Sequence, residues 1–192
     1  MAFDMEAIKA KAAAGTLAVS TATGGGASKA PPSGVYVCEL AKAAIEKSQK
    51  LQDQLVVVLR VKSVVSLSEE LPEDTTQESL VGREFKWYFL NAPTDKPDWV
   101  ERLSGDIVAL AGQVGLDSSK VFVDPTDGEG AKNLMDLYSN FSVMALKPIQ
   151  RGTLGTVTIE RQRQNGDKTR FNNAIKLEVK AAKKTSALTE GL

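Results

Sequence analysis

The chain has 192 residues, with 24 Lys and Arg, 24 Asp and Glu, and no histidine. This length allows one ordinary domain with tails, and a hydrophobic fraction of 42% is typical of a soluble globular protein. Because histidine is the commonest general base and the commonest zinc ligand, its absence excludes zinc sites and Ser-His or Cys-His catalysis. We therefore expect a protein that is not an enzyme and that binds no metal or cofactor.

The sequence contains no signal for a membrane or for export. No apolar run approaches the roughly 18 to 20 residues of a membrane span, and the N-terminus lacks a basic start followed by an apolar stretch. We expect a cytoplasmic protein with no membrane partner. The single cysteine, Cys38, excludes an intrachain disulfide, and its apolar surroundings predict a buried thiol rather than a nucleophile.

The first 33 residues are predicted to be a flexible N-terminal arm. Asp4 to Ala14 is rich in Ala and Lys and favours a short helix that Gly15 would stop. The segment Thr16 to Ser33 is rich in Gly, Ser, Ala and Pro, which is typical of a linker. Such an arm is either a disordered tail or a segment that docks on a neighbouring subunit through its apolar side chains Phe3, Met5 and Ile8.

The domain is expected to span residues 34–180 and to begin with three strands. Val35 to Ser48 reads as a long strand that bends around its alanines, and Gln54 to Leu67 is rich in β-branched residues. A hairpin at Lys47 to Asp53 would join the two. After the acidic loop Glu69 to Val81, a third strand is predicted over Arg83 to Asn91.

The next part of the domain is predicted to be helical. Asp98 to Gly112 has apolar residues at helical spacing, with Pro97 suited to the first turn. Ala131 to Tyr138 predicts a second, shorter helix. Strand character returns over Phe141 to Leu146, and Pro148 to Gly155 is expected to be a loop.

The block from Thr156 to Val179 predicts a β-hairpin that turns at Asn165-Gly166-Asp167, because both central positions of such a turn favour positive φ. Val157 and Ile159 share one face, so the base of the hairpin should be core and its cationic tip wet. From Phe141 to Leu192 there are ten Lys or Arg against four acids. This basic quarter suggests a polyanion partner. The alternative is a solvated hairpin whose charges keep an edge strand soluble.

The predicted elements amount to a mainly β (α+β) fold. Three strands, a helical insertion, then a strand and a hairpin is the order of an OB-fold-like five- to six-stranded Greek-key barrel. Residues 181–192 would form a C-terminal tail. In this family of folds the second and third strands and the connecting loops commonly bind oligonucleotides.

Strand parity suggests which residues would bind nucleic acid. In the second strand the apolar residues from Leu55 to Val61 would face the core and turn Arg60 and Lys62 outward. In the third strand Trp87 should be core, although a parity error of one residue would expose it. Cations suit phosphates and flat rings suit stacked bases. The predicted phosphate contacts are Arg60, Lys62, Lys86, Arg161, Arg163, Lys168 and Arg170, and the predicted stacking residues are Tyr88 and Phe171.

Several short motifs together resemble the single-stranded DNA-binding proteins of bacteriophages, over roughly residues 33 to 180. They are Ser33-Gly34-Val35-Tyr36-Val37, Lys47-Ser48-Gln49-Lys50, Gly82-Arg83-Glu84-Phe85, Asn165-Gly166 and Asn172-Asn173. The resemblance implies non-catalytic binding and protection of single-stranded DNA during phage replication or recombination, in the host cell cytoplasm. It also implies self-association through the N-terminal arm and contacts with phage replication proteins.

Two other readings of the sequence lead to different functions. A flexible arm on a β-rich body is also typical of a structural or assembly protein of a virus particle, in which the arm interlocks subunits. The acidic cluster Asp124-Pro-Thr-Asp127-Gly-Glu129 is the best candidate for a metal site. Its spacing does not match a calcium loop, and its residues are ordinary turn residues, so we expect a turn with a helix cap.

Overall fold

A computed structural model describes residues 4–18, 31–71, 73–91, 96–163 and 171–179, with side chains as far as residue 159. The described chain has a mixed α+β architecture, in which a curled antiparallel sheet packs against several helices. One continuous apolar core contains side chains from both the sheet and the helices. The predicted C-terminal tail, residues 181–192, lies outside the described residues.

The three predicted N-terminal strands and the C-terminal hairpin are confirmed. Their bounds are β1 Gly34–Lys47, β2 Asp53–Leu67, β3 Glu84–Leu90, β4 Leu154–Arg163 and β5 Phe171–Val179. Across the sheet the strands lie in the order β3-β2-β1-β4-β5, and all neighbouring strands are antiparallel.

Strand β1 is irregular, and one of its three register shifts falls at an alanine, Ala41, where the sequence predicts that the strand bends or loosens. Its pairing with β2 shifts register between Val35 and Tyr36, between Val37 and Cys38, and between Leu40 and Lys42. Each irregularity of this kind bends a strand and increases its twist. These shifts give the long β1–β2 pair the curvature of the sheet.

The last two strands extend beyond the rest of the sheet. Pairing between β1 and β4 runs from Glu39 with Leu154 to Gly34 with Ile159. Pairing between β4 and β5 continues four residues further along β4, to Arg163 with Phe171. Within the described ranges, the end of this hairpin is therefore a ribbon of two strands. The predicted Asn165-Gly166-Asp167 turn lies outside them.

Most of the helices lie between β3 and β4. The α-helices are α1 Met5–Ala13, α2 Gln77–Leu80, α3 Pro97–Gln113, α4 Leu134–Met144 and α5 Leu146–Gln150. A 3₁₀ helix spans Ser118–Phe122. Helix α3 begins with Pro97 in its first turn, as predicted. Helix α4 is capped by Asn133 and Asp136, whose side chains bond reciprocally to each other's backbone N–H groups.

The predicted strand over Phe141 to Leu146 is wrong, because this segment is helical and spans the end of α4 and the start of α5. Alternating apolar residues suggested a strand. The buried residues instead recur at helical spacing from the start of α4, and they are Leu134, Leu137, Tyr138, Phe141 and Ala145.

Helix α4 packs against the core face of the sheet. The ring of Tyr138 meets that of Phe89 edge to face, with centroids 6.3 Å apart, and the Tyr138 hydroxyl donates to the carbonyl of Leu90 at 3.0 Å. Trp87 lies beside Phe89 at 4.8 Å between centroids. These contacts hold β3 with its apolar side toward the helices.

The N-terminal helix departs from the flexible arm predicted for residues 1–33. Helix α1 packs against α3 and the 3₁₀ helix, and its side chains Met5 and Ile8 are buried in the core. Lys11 Nζ lies 2.7 Å from Glu101 Oε2 on α3. Two of the three apolar side chains that were expected to remain free or to dock on a neighbour, Met5 and Ile8, are thus covered by the same chain, and Phe3 lies outside the described residues.

A glycine in α3 accommodates the segment that follows α1. A Cβ atom at Gly105 would overlap the carbonyl oxygen of Ala18 and would lie 3.3 Å from Cγ of Leu17. Because a side chain at this position has no room, the close approach of the two backbones depends on glycine. Residues 4–18 are therefore part of the folded body.

Candidate nucleic-acid interface

The four candidate residues of the second and third strands lie on one face of the sheet. Arg60, Lys62, Lys86 and Tyr88 point away from the core, because the residues that alternate with them are buried in it. These buried residues are Leu59, Val61, Phe85, Trp87 and Phe89. Lys62 and Lys86 are exposed, and Arg60 and Tyr88 are half-buried. The predicted parity is confirmed, as is the core position of Trp87.

We call this side of β1, β2 and β3 the outer face. The strand register aligns its residues in rows across the three strands. Arg60 lies between the positions of Glu84 on β3 and Glu39 on β1. The face comprises Glu39, Lys42, Ala44, Glu46, Val56, Val58, Arg60, Lys62, Glu84, Lys86 and Tyr88.

Arg60 lies between two carboxylates. Its Nε and Nη2 donate to Oε1 of Glu84 at 3.0 and 2.6 Å, and its Nη1 donates to Oε1 of Glu39 at 2.7 Å. These bonds raise the pKa of Arg60, with Glu84 contributing most. Lys62 Nζ lies 3.5 Å from Oε2 of Glu39. Glu39 therefore bridges two of the cations that were predicted to contact phosphates.

A second group of ion pairs lies nearer the turn between β1 and β2. Oε1 of Glu46 accepts a hydrogen bond from Lys42 Nζ at 2.6 Å, and its Oε2 lies 3.6 Å from Lys86 Nζ. The hydrogen bond from Lys42 is the main cause of the lowered pKa of Glu46, and the charge of Lys86 adds to it. Each outer-face cation thus has a carboxylate within ion-pair distance.

The irregularity of β1 brings these groups together. Strict alternation from Glu39 would turn Lys42 and Glu46 toward the core. The register shift between Leu40 and Lys42 instead places both residues on the outer face. The contributions of these residues and of Glu84 were not predicted, because they depend on cross-strand neighbours and not on the parity of a single strand.

The outer face differs in charge from the cationic groove expected from the sequence. Its ion pairs join four cations to three carboxylates, which nearly balances the charge. Ion pairs at exposed positions contribute only about 0 to 1 kcal/mol each to stability, because water screens them. Such pairs can separate at small cost, so the cations can exchange a carboxylate for a phosphate.

Tyr88 provides the aromatic surface of the outer face. In the strand register it lies opposite Val56, which in turn lies opposite Ala44. Val56 is fully buried even though it belongs to this face. Val58, which lies in the next row of the face, is almost fully buried as well. Tyr88 is thus half-exposed and lies opposite an apolar residue, with charged residues in the neighbouring rows, which suits the stacking of a base.

The candidates of the C-terminal hairpin are described only in part. In the β4–β5 register, Arg161 lies opposite Asn173 and Arg163 opposite Phe171, on the ribbon beyond β1. Lys168 and Arg170 lie outside the described residues. The roles of all five candidates on the hairpin, Arg161, Arg163, Lys168, Arg170 and Phe171, remain predictions.

The acidic cluster at Asp124 is a turn, as expected. Oδ1 of Asp124 accepts from the backbone N–H of Thr126 at 2.7 Å, and Oδ1 of Asp127 accepts from that of Glu129 at 2.8 Å. The helix cap that follows is made by Asn133 rather than by these acids. No group of three or more Asp, Glu or Cys side chains in the described part of the chain is placed to hold a metal ion.

The comparisons with known proteins identify no relative, since no model of a known family and no curated protein matches the chain. Among the described residues, no helix combines the length and the apolar character needed to cross a membrane.

Proposed function

We propose that the protein binds single-stranded DNA on the outer face, without catalysis. The observation that carries this proposal is the shared position of Arg60, Lys62, Lys86 and Tyr88 on one accessible side of β2 and β3. Phosphates would contact the three cations and a base would stack on Tyr88. A protein that holds single strands without sequence preference needs this combination of cations along the backbone and flat rings.

The architecture supports the same proposal. The order β3-β2-β1-β4-β5, with the helices between β3 and β4, is compatible with an OB-type Greek-key barrel that is open between its third and fifth strands. In such folds the second and third strands and the connecting loops commonly bind oligonucleotides. We propose this OB-type fold for the chain, together with a role in phage replication or recombination.

The dimensions of the outer face fit a short stretch of nucleic acid. Tyr88 lies opposite Val56, and Lys62 is six residues further along β2, which corresponds to about 20 Å at the usual rise of a strand. The ribbon of β4 and β5 leaves the sheet at the same end as Lys62, because Ile159 pairs with the first residue of β1. A bound strand would run from Tyr88 toward this ribbon.

The proposal is tested by fluorescence anisotropy with a labelled oligothymidine and a matched duplex, at low and moderate salt. We expect preference for the single strand. The logarithm of the affinity should fall with the logarithm of the salt concentration, with a slope of about −2 for three phosphate contacts. Equal affinity for the duplex, or no binding at low salt, would refute the proposal.

A matched pair of aromatic variants tests the stacking role. Tyr88→Ala should weaken oligothymidine binding by about 5- to 150-fold, the range that corresponds to the loss of one base stack. The control is Trp99→Ala, since Trp99 is also exposed but belongs to α3 and not to the strands of the outer face. Equal effects of the two substitutions would contradict the assignment of Tyr88.

A further inference from the structure

The carboxylate of Glu39 occupies the position between two cations that a bound phosphate would need. Its Oε1 is 2.7 Å from Arg60 Nη1, and its Oε2 is 3.5 Å from Lys62 Nζ. A phosphodiester group also carries one negative charge on two free oxygens, so it can bridge two cations in the same manner. The two groups are therefore alternative occupants of one place.

We infer that Arg60 and Lys62 form an anion site for a phosphodiester group, and that Glu39 fills this site in the free protein as an internal competitor. The inference rests on the proposed function and adds its regulation: the face is held nearly neutral until a strand displaces the carboxylate. The observed affinity for nucleic acid is therefore lower than it would be if Glu39 did not occupy the site.

Glu39 is better placed than Glu84 to act in this way. Its side chain is 19% exposed against 46% for Glu84, and it lies on β1 inside the sheet, whereas β3 is at the edge. Glu84 contacts Arg60 alone among the outer-face cations and can turn toward water. Both glutamates face Arg60 in the strand register, but of the two it is Glu39 that also lies within ion-pair distance of Lys62, so its carboxylate spans both cations of the site.

The test is the substitution Glu39→Gln, which keeps the shape of the side chain and removes its charge. Oligothymidine should bind about 5- to 10-fold more tightly, as expected for removal of one charge a few ångströms from a phosphate in a water-like medium.

The matched control is Glu129→Gln. Glu129 also pairs with a lysine, Lys132 at 3.0 Å, and its substitution changes the net charge by the same amount, but it lies on the loop before α4. This variant should bind like the wild type. An equal gain in both variants would show a general charge effect and would overturn the inference.

A second probe separates the inference from the proposed function. Inorganic pyrophosphate, titrated by NMR, should bind Glu39→Gln at least about 5-fold more tightly than the wild type. Adding Arg60→Gln should abolish the gain, since the guanidinium then no longer holds the anion. A gain that persists without Arg60 would overturn the site.

The outcomes are distinct. If the wild type binds oligothymidine and Glu39→Gln binds both probes no better, the inference fails and the proposed function stands. If Glu39→Gln gains affinity for pyrophosphate while neither protein binds oligothymidine, the anion site stands and the proposed function fails. Absence of a gain for pyrophosphate together with absence of oligothymidine binding overturns both.

Discussion

Replacement of Gly105 by alanine should release the N-terminal helix from the body of the protein. The added methyl group would overlap the carbonyl oxygen of Ala18, so the segment after α1 must move away from α3. That movement pulls on α1, whose side chains Met5 and Ile8 are only 8% and 5% exposed. The methyl group added to α3 by Gly105→Ala should therefore weaken the packing of residues 4–18 against the rest of the protein.

The expected loss follows from two opposing effects. Burial of two side chains of this size stabilises by at most about 3 to 6 kcal/mol, and part of this is offset by the ordering of residues 4–18. Alanine in place of glycine inside a helix contributes up to about 1 kcal/mol in the other direction. We expect Gly105→Ala to lower the free energy of unfolding by about 1 to 3 kcal/mol.

The same helix provides the control. A Cβ atom at Gly112 meets nothing within 4 Å, so Gly112→Ala should raise the free energy of unfolding by about 0.5 to 1 kcal/mol. The assay is urea denaturation followed by tryptophan fluorescence, with hydrogen exchange of the α1 amides. If Gly105→Ala is as stable as Gly112→Ala and keeps α1 protected, the docking described for residues 4–18 is refuted.

Two further predictions concern the thiol and the β1–β2 turn. Burial raises the pKa of the Cys38 thiol to about 12 from 9.0, so the native protein should resist iodoacetamide at pH 8 and react fully in urea. The thiol ionises at a lower pH in the unfolded chain than in the folded protein. Burial of the neutral thiol is therefore fully compatible with folding below pH 9, and the free energy of unfolding should fall as the pH rises toward 12. Leu51 has a φ of 60° and is 78% exposed, so Leu51→Gly should raise the free energy of unfolding by about 0.5 to 1 kcal/mol in urea titrations. A loss of stability in that variant would show that the leucine side chain matters more than the backbone strain.

Strand β2 could be predicted from the sequence because it is rich in β-branched residues, and β3 because its apolar and polar residues alternate. The alternation from Leu59 to Lys62 fixes the parity of β2 and turns Arg60 and Lys62 outward. The segment from Phe141 to Leu146 could not be assigned in the same way, since its apolar residues fit a strand and a helix equally well. The longer repeat that begins at Leu134 decides for the helix, because it buries a whole helical face.

The electrostatics of the outer face could not be predicted from the sequence. Which carboxylate faces Arg60 depends on the register of β1 against β2, and that register shifts at three places along β1. Docking of the N-terminal helix was equally hidden, because it depends on the absence of a side chain at Gly105. Both features arise from contacts between segments far apart in the chain.

The most direct test of the central claim is an NMR titration of the ¹⁵N-labelled protein with oligothymidine. The account predicts that the largest amide shifts fall in residues 56–62 of β2 and in β3, with α3 and α4 little affected. Shifts confined to the helices, or no shifts at low salt, would contradict binding on the outer face.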